Sequence, residues 1–100
     1  MKNYFDLKDN VAIVTGCSTG LGVQMAKALA NQGCNIAAIA RRQELLEKVC
    51  AEIESEFGVK ALPVRCDITD TASVDAMVDQ VLGEFGRIAI LIDNAGTGAV

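Results

Sequence analysis

The segment Thr15-Gly16-Cys17-Ser18-Thr19-Gly20-Leu21-Gly22 limits what this chain can fold into more than any other stretch. It follows a short apolar run, Val11 to Thr15, of the kind that forms a strand buried on both faces. It leads into residues from about Gly20 to Gln32 in which Leu21, Met25, Ala28 and Leu29 recur at helical spacing, with Gly33 as a natural end. A buried strand, a glycine-rich turn and a helix in direct succession set a helix N-terminus where unpaired N–H groups can meet an anion. Inside a β-α-β unit of about thirty residues, that arrangement is the one dinucleotides use. Gly16 is expected to make the tight turn, and Gly20 and Gly22 to let the backbone approach a pyrophosphate. Ser18 and Thr19 would make positioning contacts, with Leu21 beside them.

The rest of the chain repeats the alternation. Ile36 to Ala40 reads as a second buried strand. Residues 43–56 form an amphipathic helix with Leu45, Leu46, Val49 and Ile53 on one stripe, closed by Gly58. Lys60 to Cys66 reads as a third strand, and Pro63, which cannot donate to a ladder, puts it at an edge. Thr69 or Asp70 caps a third helix whose face is Val74, Val78, Val81, Leu82 and Phe85, ended by Gly86. Ile88 to Ile92 reads as a fourth strand. Three crossovers of this kind imply an α/β fold: a Rossmann-type, doubly wound parallel sheet. Its first four strands would lie in the order 3-2-1-4 with three helices, and the ligand would sit beyond the carboxyl ends of the strands. No linker or second domain is expected within residues 1–100.

Composition excludes more than it selects. The net charge is −4 and the only adjacent basic pair is Arg41-Arg42, so no nucleic-acid surface is expected. The opening MKNYFDLKDN has no apolar core of a secretory signal, and the run Ile36 to Ala40 is too short to span a bilayer. A cytoplasmic protein without a membrane partner is the expectation. The four cysteines include no C-x-x-C pair, and the chain has no histidine, so buried thiols are expected in place of a metal site.

The T-G-x-x-x-G-x-G spacing resembles the short-chain dehydrogenase/reductase family, and later residues agree with it in order and separation. Cys66-Asp67-Ile68 is similar to the family's acidic position after strand three, and the resemblance implies that Asp67 and Ile68 lie against the adenine. Asp93-Asn94-Ala95-Gly96 is similar to the family's N-N-A-G motif after strand four, which implies that Asn94, Ala95 and Gly96 line the cofactor groove. Nicotinamide cofactors lacking a 2′-phosphate need a carboxylate at the end of strand two, and Ala40 stands there instead. Arg41, followed by Arg42, could pair with a 2′-phosphate, so NADP(H) is expected over NAD(H). Within the family, Leu21 to Lys27 and Ala40 to Arg42 are nearest in wording to gluconate 5-dehydrogenase-like members. A secondary alcohol or ketone, such as a sugar acid or a hydroxysteroid, is the implied small-molecule substrate, and a homo-oligomer the implied assembly.

Two positions depart from the family pattern: Ala89 stands where Asp is usual, and Asp93 where the first Asn is usual. An ionised Asp can only accept hydrogen bonds, so any contact in which that Asn donates is lost. The family's catalytic Ser and Tyr-x-x-x-Lys follow strands five and six, which residues 1–100 do not contain. Tyr4 to Lys8 does spell Y-x-x-x-K, but it precedes strand one at the far end of the sheet. Five strand residues hold it about 16 Å from the cofactor side, beyond the reach of acid–base chemistry. No catalytic residue is therefore assigned. The expected enzyme competes with two other readings, a non-catalytic dinucleotide-binding fragment and a truncated remnant that self-associates through its fourth strand.

Overall fold

The computed structural model describes residues 9–18 and 20–93. The elements run β1 (Val11–Thr15), α1 (Gly20–Asn31), β2 (Asn35–Ala40), α2 (Gln43–Phe57), β3 (Ala61–Arg65), α3 (Thr71–Phe85) and β4 (Ile90–Ile92). All three strand pairs are parallel and the order is β3-β2-β1-β4, as the sequence predicts. Pro63 lies on the edge strand. The Lys60 carbonyl accepts from Ile36 N–H at 2.9 Å, and Cys66 N–H donates to the Ala40 carbonyl at 3.0 Å. The two-residue period of a strand then turns the Pro63 nitrogen to the open side, where its missing donor costs nothing.

Side chains alternate between two apolar layers. Ala12, Val14, Ile36, Ala38 and Ala61 pack with α1 and α2, while Val11, Ile13, Ala37, Ile39 and Val64 pack with Met77 and Val81 of α3. The sheet is thus covered on both faces, which is why its strands read as continuous apolar runs.

The buried face of α1 corrects the sequence reading. Gly22, Ala26 and Ala30 are buried, whereas Leu21 is 59% exposed, Met25 and Leu29 are half-buried and Ala28 is exposed. Small residues four apart let the helix axis come close to β1 and β2, and that close approach outweighs the burial of larger side chains elsewhere on the helix. In α2 the stripe is Leu46, Val49, Cys50 and Ile53, with Leu45 only half-buried. In α3, Val81 is buried as expected, but Met77 joins it, and Leu82 faces out at 43% exposure. Asp70 is the N-cap of α3, its carboxylate accepting from Ala72 N–H at 3.0 Å. The fourth strand is shorter than the sequence suggests, because Ile88 turns into the α3 layer before the ladder with β1 begins.

All four cysteines are buried and free, as small apolar side chains would be. Burial pushes the Cys17 thiol up to about 11 and the Cys50 thiol up to about 12, with Cys17 and Glu54 adding to the latter. The thiolate is therefore disfavoured in the folded chain. The unfolded chain loses these protons first, so this contribution is intact below the ordinary thiol value of about 8.5 and is lost as pH rises from there. The thiols should react with a disulfide reagent slowly at neutral pH and rapidly in urea, and the urea midpoint should fall above about pH 9. Rapid labelling of Cys17 and Cys50 in the native chain would contradict their burial. Among the described residues no helix is long and apolar enough to cross a membrane, and no cluster of three metal-ligating side chains occurs.

Candidate functional site

The carboxyl ends of the four strands open on the same side, and the loops after them gather there. The first runs from Gly16 to the start of α1. Gly16 has φ 65° and Gly20 φ 59°, so the turn enters and leaves through left-handed backbone that side chains with a Cβ resist. Between them Cys17 is fully buried. Its N–H donates to the Ile39 carbonyl at 3.0 Å, and its sulfur lies 3.8 Å from the Gly22 carbonyl. Cys17 therefore anchors the loop from beneath and offers neither its N–H nor its thiol to a ligand. Gly20 is exposed and opens α1, and a Cβ built there would meet nothing within 4 Å. That empty cradle at a helix N-terminus fits an anion. Ser18 is half-buried beside it, Leu21 is exposed, and Gly22 is buried against the sheet. Thr19 lies outside the described residues.

Arg41 and Arg42 follow β2 and are both exposed. Arg42 is the N-terminal flank of α2, and its Nε lies 3.4 Å from Glu44 Oε1. Such an exposed pair is weak and would release the guanidinium readily. Beyond β3, the Thr69 hydroxyl (2.7 Å) and Thr69 N–H (3.0 Å) both donate to Asp67 Oδ1. These two bonds, helped by the positive fields of Arg41 and Arg65, hold the Asp67 carboxyl below its usual value. Asp67 is thus a fixed, ionised acceptor at the mouth of the β3 loop. Ile68, next to it, is 37% exposed and offers an apolar surface there.

After β4 the Thr15 hydroxyl lies 3.0 Å from Asp93 Oδ1 and 3.3 Å from the Ile92 carbonyl. A carboxylate at position 93 serves this contact as an acceptor, which is all it can be when ionised. Asn94, Ala95 and Gly96 lie outside the described residues, as do Tyr4 and Lys8.

Two of the grooves lined by described residues differ in size and place. The larger, about 700 Å³, crosses the amino end of the sheet between Asp9, Gly33, Lys60 and Glu84, away from every loop described above. The smaller, about 340 Å³, is apolar and opens at the carboxyl side between Ile13, Thr15, Ile68, Met77, Leu91 and Asp93. Parallel α/β sheets bind ligands at their carboxyl ends, so the second location carries the functional argument.

Over residues 10–100 the sequence matches the short chain dehydrogenase family. The chain belongs to that family. It is 41% identical over 96 residues to a 2-dehydro-3-deoxy-D-gluconate 5-dehydrogenase of Dickeya dadantii, covering 94% of this chain and 36% of that protein. The expected likeness to gluconate 5-dehydrogenase-like members is met. The L-sorbose reductase of Gluconobacter frateurii, solved with NADPH and L-sorbose, superposes with a TM-score of 0.90 at 36% identity. That match covers 94% of this chain and 36% of the reductase. An NAD⁺-bound xylitol dehydrogenase superposes at 0.81 with 36% identity, over 85% of this chain and 32% of that one. The chain thus spans about a third of the length of the family members it matches. These members are oxidoreductases by name, and between them they hold either phosphorylated or unphosphorylated nicotinamide dinucleotides.

Sequence reasoning missed two contributors. Thr15 reads as the last apolar-run residue but ties the ends of β1 and β4 together. Arg65 reads as an edge-strand surface residue, yet its Nε donates to the Arg41 carbonyl at 3.1 Å.

Proposed function

We propose that this chain forms the dinucleotide-binding part of an NADP(H)-dependent oxidoreductase that interconverts a secondary alcohol and a ketone, with a sugar acid or a hydroxysteroid as substrate class. One observation carries the cofactor assignment: β2 ends in Ala40 and continues into Arg41, with no carboxylate where a ribose 2′-hydroxyl would need one. When bound, the nicotinamide supplies hydride chemistry. The chain's own residues hold and orient it. The Gly16–Gly22 loop and the α1 N-terminus take the pyrophosphate, Arg41 with Arg42 takes the 2′-phosphate, and Asp67 with Ile68 borders the adenine. Asn94, Ala95 and Gly96 belong to the same groove in this reading. In this reading the residues named here bind and orient the cofactor, and the proton donor for the carbonyl is the family's Ser and Tyr-x-x-x-Lys. The assembly is read as a cytoplasmic homo-oligomer acting on a small molecule.

The test is a titration followed by nicotinamide fluorescence. Arg41→Ala should weaken NADPH binding about tenfold, the loss of one charge-assisted contact worth roughly 1.4 kcal/mol, and leave NADH unchanged. Unchanged NADPH affinity would remove the assignment. A competing reading, a non-catalytic remnant that self-associates, draws on Leu91 of β4, which is 64% exposed at the sheet edge. It requires dimers whose population ignores cofactor, which a sedimentation run with and without NADPH decides.

A further inference from the structure

We infer that Arg65 is a second anion-binding residue of this site and shares the cofactor 2′-phosphate with Arg41, an inference that rests on the NADP(H) reading above.

The placement follows from strand register. Arg65 is the last residue of β3 and pairs with Ala40, the last residue of β2, so its Cα stands level with the point where the chain turns into Arg41. The alternation along β3 fixes its face. Ala61 belongs to the layer under α1 and α2, and Val64 to the layer under α3. Four residues on from Ala61, Arg65 shares the α1–α2 side, the side on which the glycine loop enters α1.

The guanidinium is also held there. Its Nε donates to the Arg41 carbonyl at 3.1 Å, which uses the inner edge of the fork and leaves the terminal Nη groups for a ligand. An oxyanion bound by Arg41 would then have a second planar donor on the neighbouring strand, beside the same loop.

Charge balance points the same way. Among the described residues the ion pairs join Lys27 to Glu52 and Glu56, and Arg42 to Glu44. Neither Arg41 nor Arg65 has such a partner. The carboxylate that feels both of them, Asp67, already accepts two hydrogen bonds from Thr69. The Arg65 guanidinium, bonded to the backbone of Arg41, and the Arg41 side chain together leave a local surplus of positive charge at the end of β2 in a chain of net charge −4. A doubly charged phosphate monoester is the ligand chemistry that matches it.

The experiment compares the full chain with its Arg65→Ala, Arg65→Lys and Arg41→Ala variants, each titrated with NADPH and with NADH by nicotinamide fluorescence. Arg65 is exposed on an edge strand, so Arg65→Ala should fold, and its NADH affinity serves as the check. The expected result is about a fivefold loss of NADPH affinity in Arg65→Ala, partial recovery in Arg65→Lys, and NADH affinity within twofold of wild type, the scale of one exposed charge-assisted contact. An equal loss for both cofactors would mean that Arg65 only braces the Arg41 loop, and would overturn the inference. So would an unchanged NADPH affinity in Arg65→Ala alongside a loss in Arg41→Ala, which leaves the NADP(H) reading standing. A wild-type chain that binds NADH as tightly as NADPH would remove both.

Discussion

Gly16→Val should weaken NADPH binding about a hundredfold, the counterpart of roughly 2.7 kcal/mol, and should unfold at lower urea than the wild-type chain. The backbone at residue 16 sits at φ 65°. Left-handed backbone costs an L-residue about 1–2 kcal/mol, and a β-branched one tolerates it worst. The strain has no cheap outlet. On one side Thr15 is buried and its hydroxyl meets Asp93 and the Ile92 carbonyl. On the other, Cys17 is fully buried and its N–H is bonded to Ile39. Relaxing residue 16 toward extended backbone would drag Cys17 from its place and break that bond, and the loop to Gly20 would move with it. Gly16→Asn, which accepts left-handed backbone, should recover most of the stability. Gly20→Ala separates the two effects, since the space around Gly20 is open. It should bind phosphate less well while losing only about 1 kcal/mol of stability to strain. Paired urea and NADPH titrations check the series, and a Gly16→Val chain that binds NADPH within threefold of wild type would sink the account.

The second large effect is on stability. Leu46 is fully buried at the centre of the layer between α2 and the sheet. Leu46→Ala should cost about 3 kcal/mol, within the range set by lost transfer energy plus the cavity left behind. For a chain of this size that is a large share of a total of about 5–15 kcal/mol. The adjacent Leu45 is half-buried and should cost under about 1.5 kcal/mol on the same change. Urea denaturation of the two variants measures the contrast, and equal losses would show that α2 is rotated from the orientation described. Because α2 begins at Gln43, directly after Arg42, a loosened α2 should also slacken the arginine loop. Leu46→Ala is therefore expected to weaken NADPH modestly without any contact to it.

The same two leucines illustrate how far the sequence could be read. Periodicity put Leu45 and Leu46 on one stripe, because residues one apart on a broad apolar face both fit the pattern. Only the helix's rotation against β2 separates them. The sheet order was legible because Pro63 marks an edge and the buried runs mark a sheet covered on both faces. The face of α1 was not, since Gly22, Ala26 and Ala30 carry almost no hydrophobic signal, although they determine how near the helix can lie. The glycine loop was legible as a tight turn into a helix N-terminus, but the role of Cys17 beneath it was not, because a backbone N–H bonded across to Ile39 leaves no trace in residue type. Arg65 was missed for a related reason. Its relation to Arg41 exists only through the pairing of β2 with β3, across 24 residues of chain.

The sheet's two margins differ, and the difference gives it a direction of growth. At β3 the outward nitrogen of Pro63 offers no hydrogen, and the flanking Arg65 adds a charge, so a newcomer strand finds an incomplete template there. At β4 the backbone carries ordinary donors and acceptors, and Leu91 stands exposed beside them. Any strand that enlarges this sheet, whatever its source, is steered to the β4 side. Extension is one-sided by chemistry, and the end of the sheet that carries Arg41 and Arg65 stays clear of it.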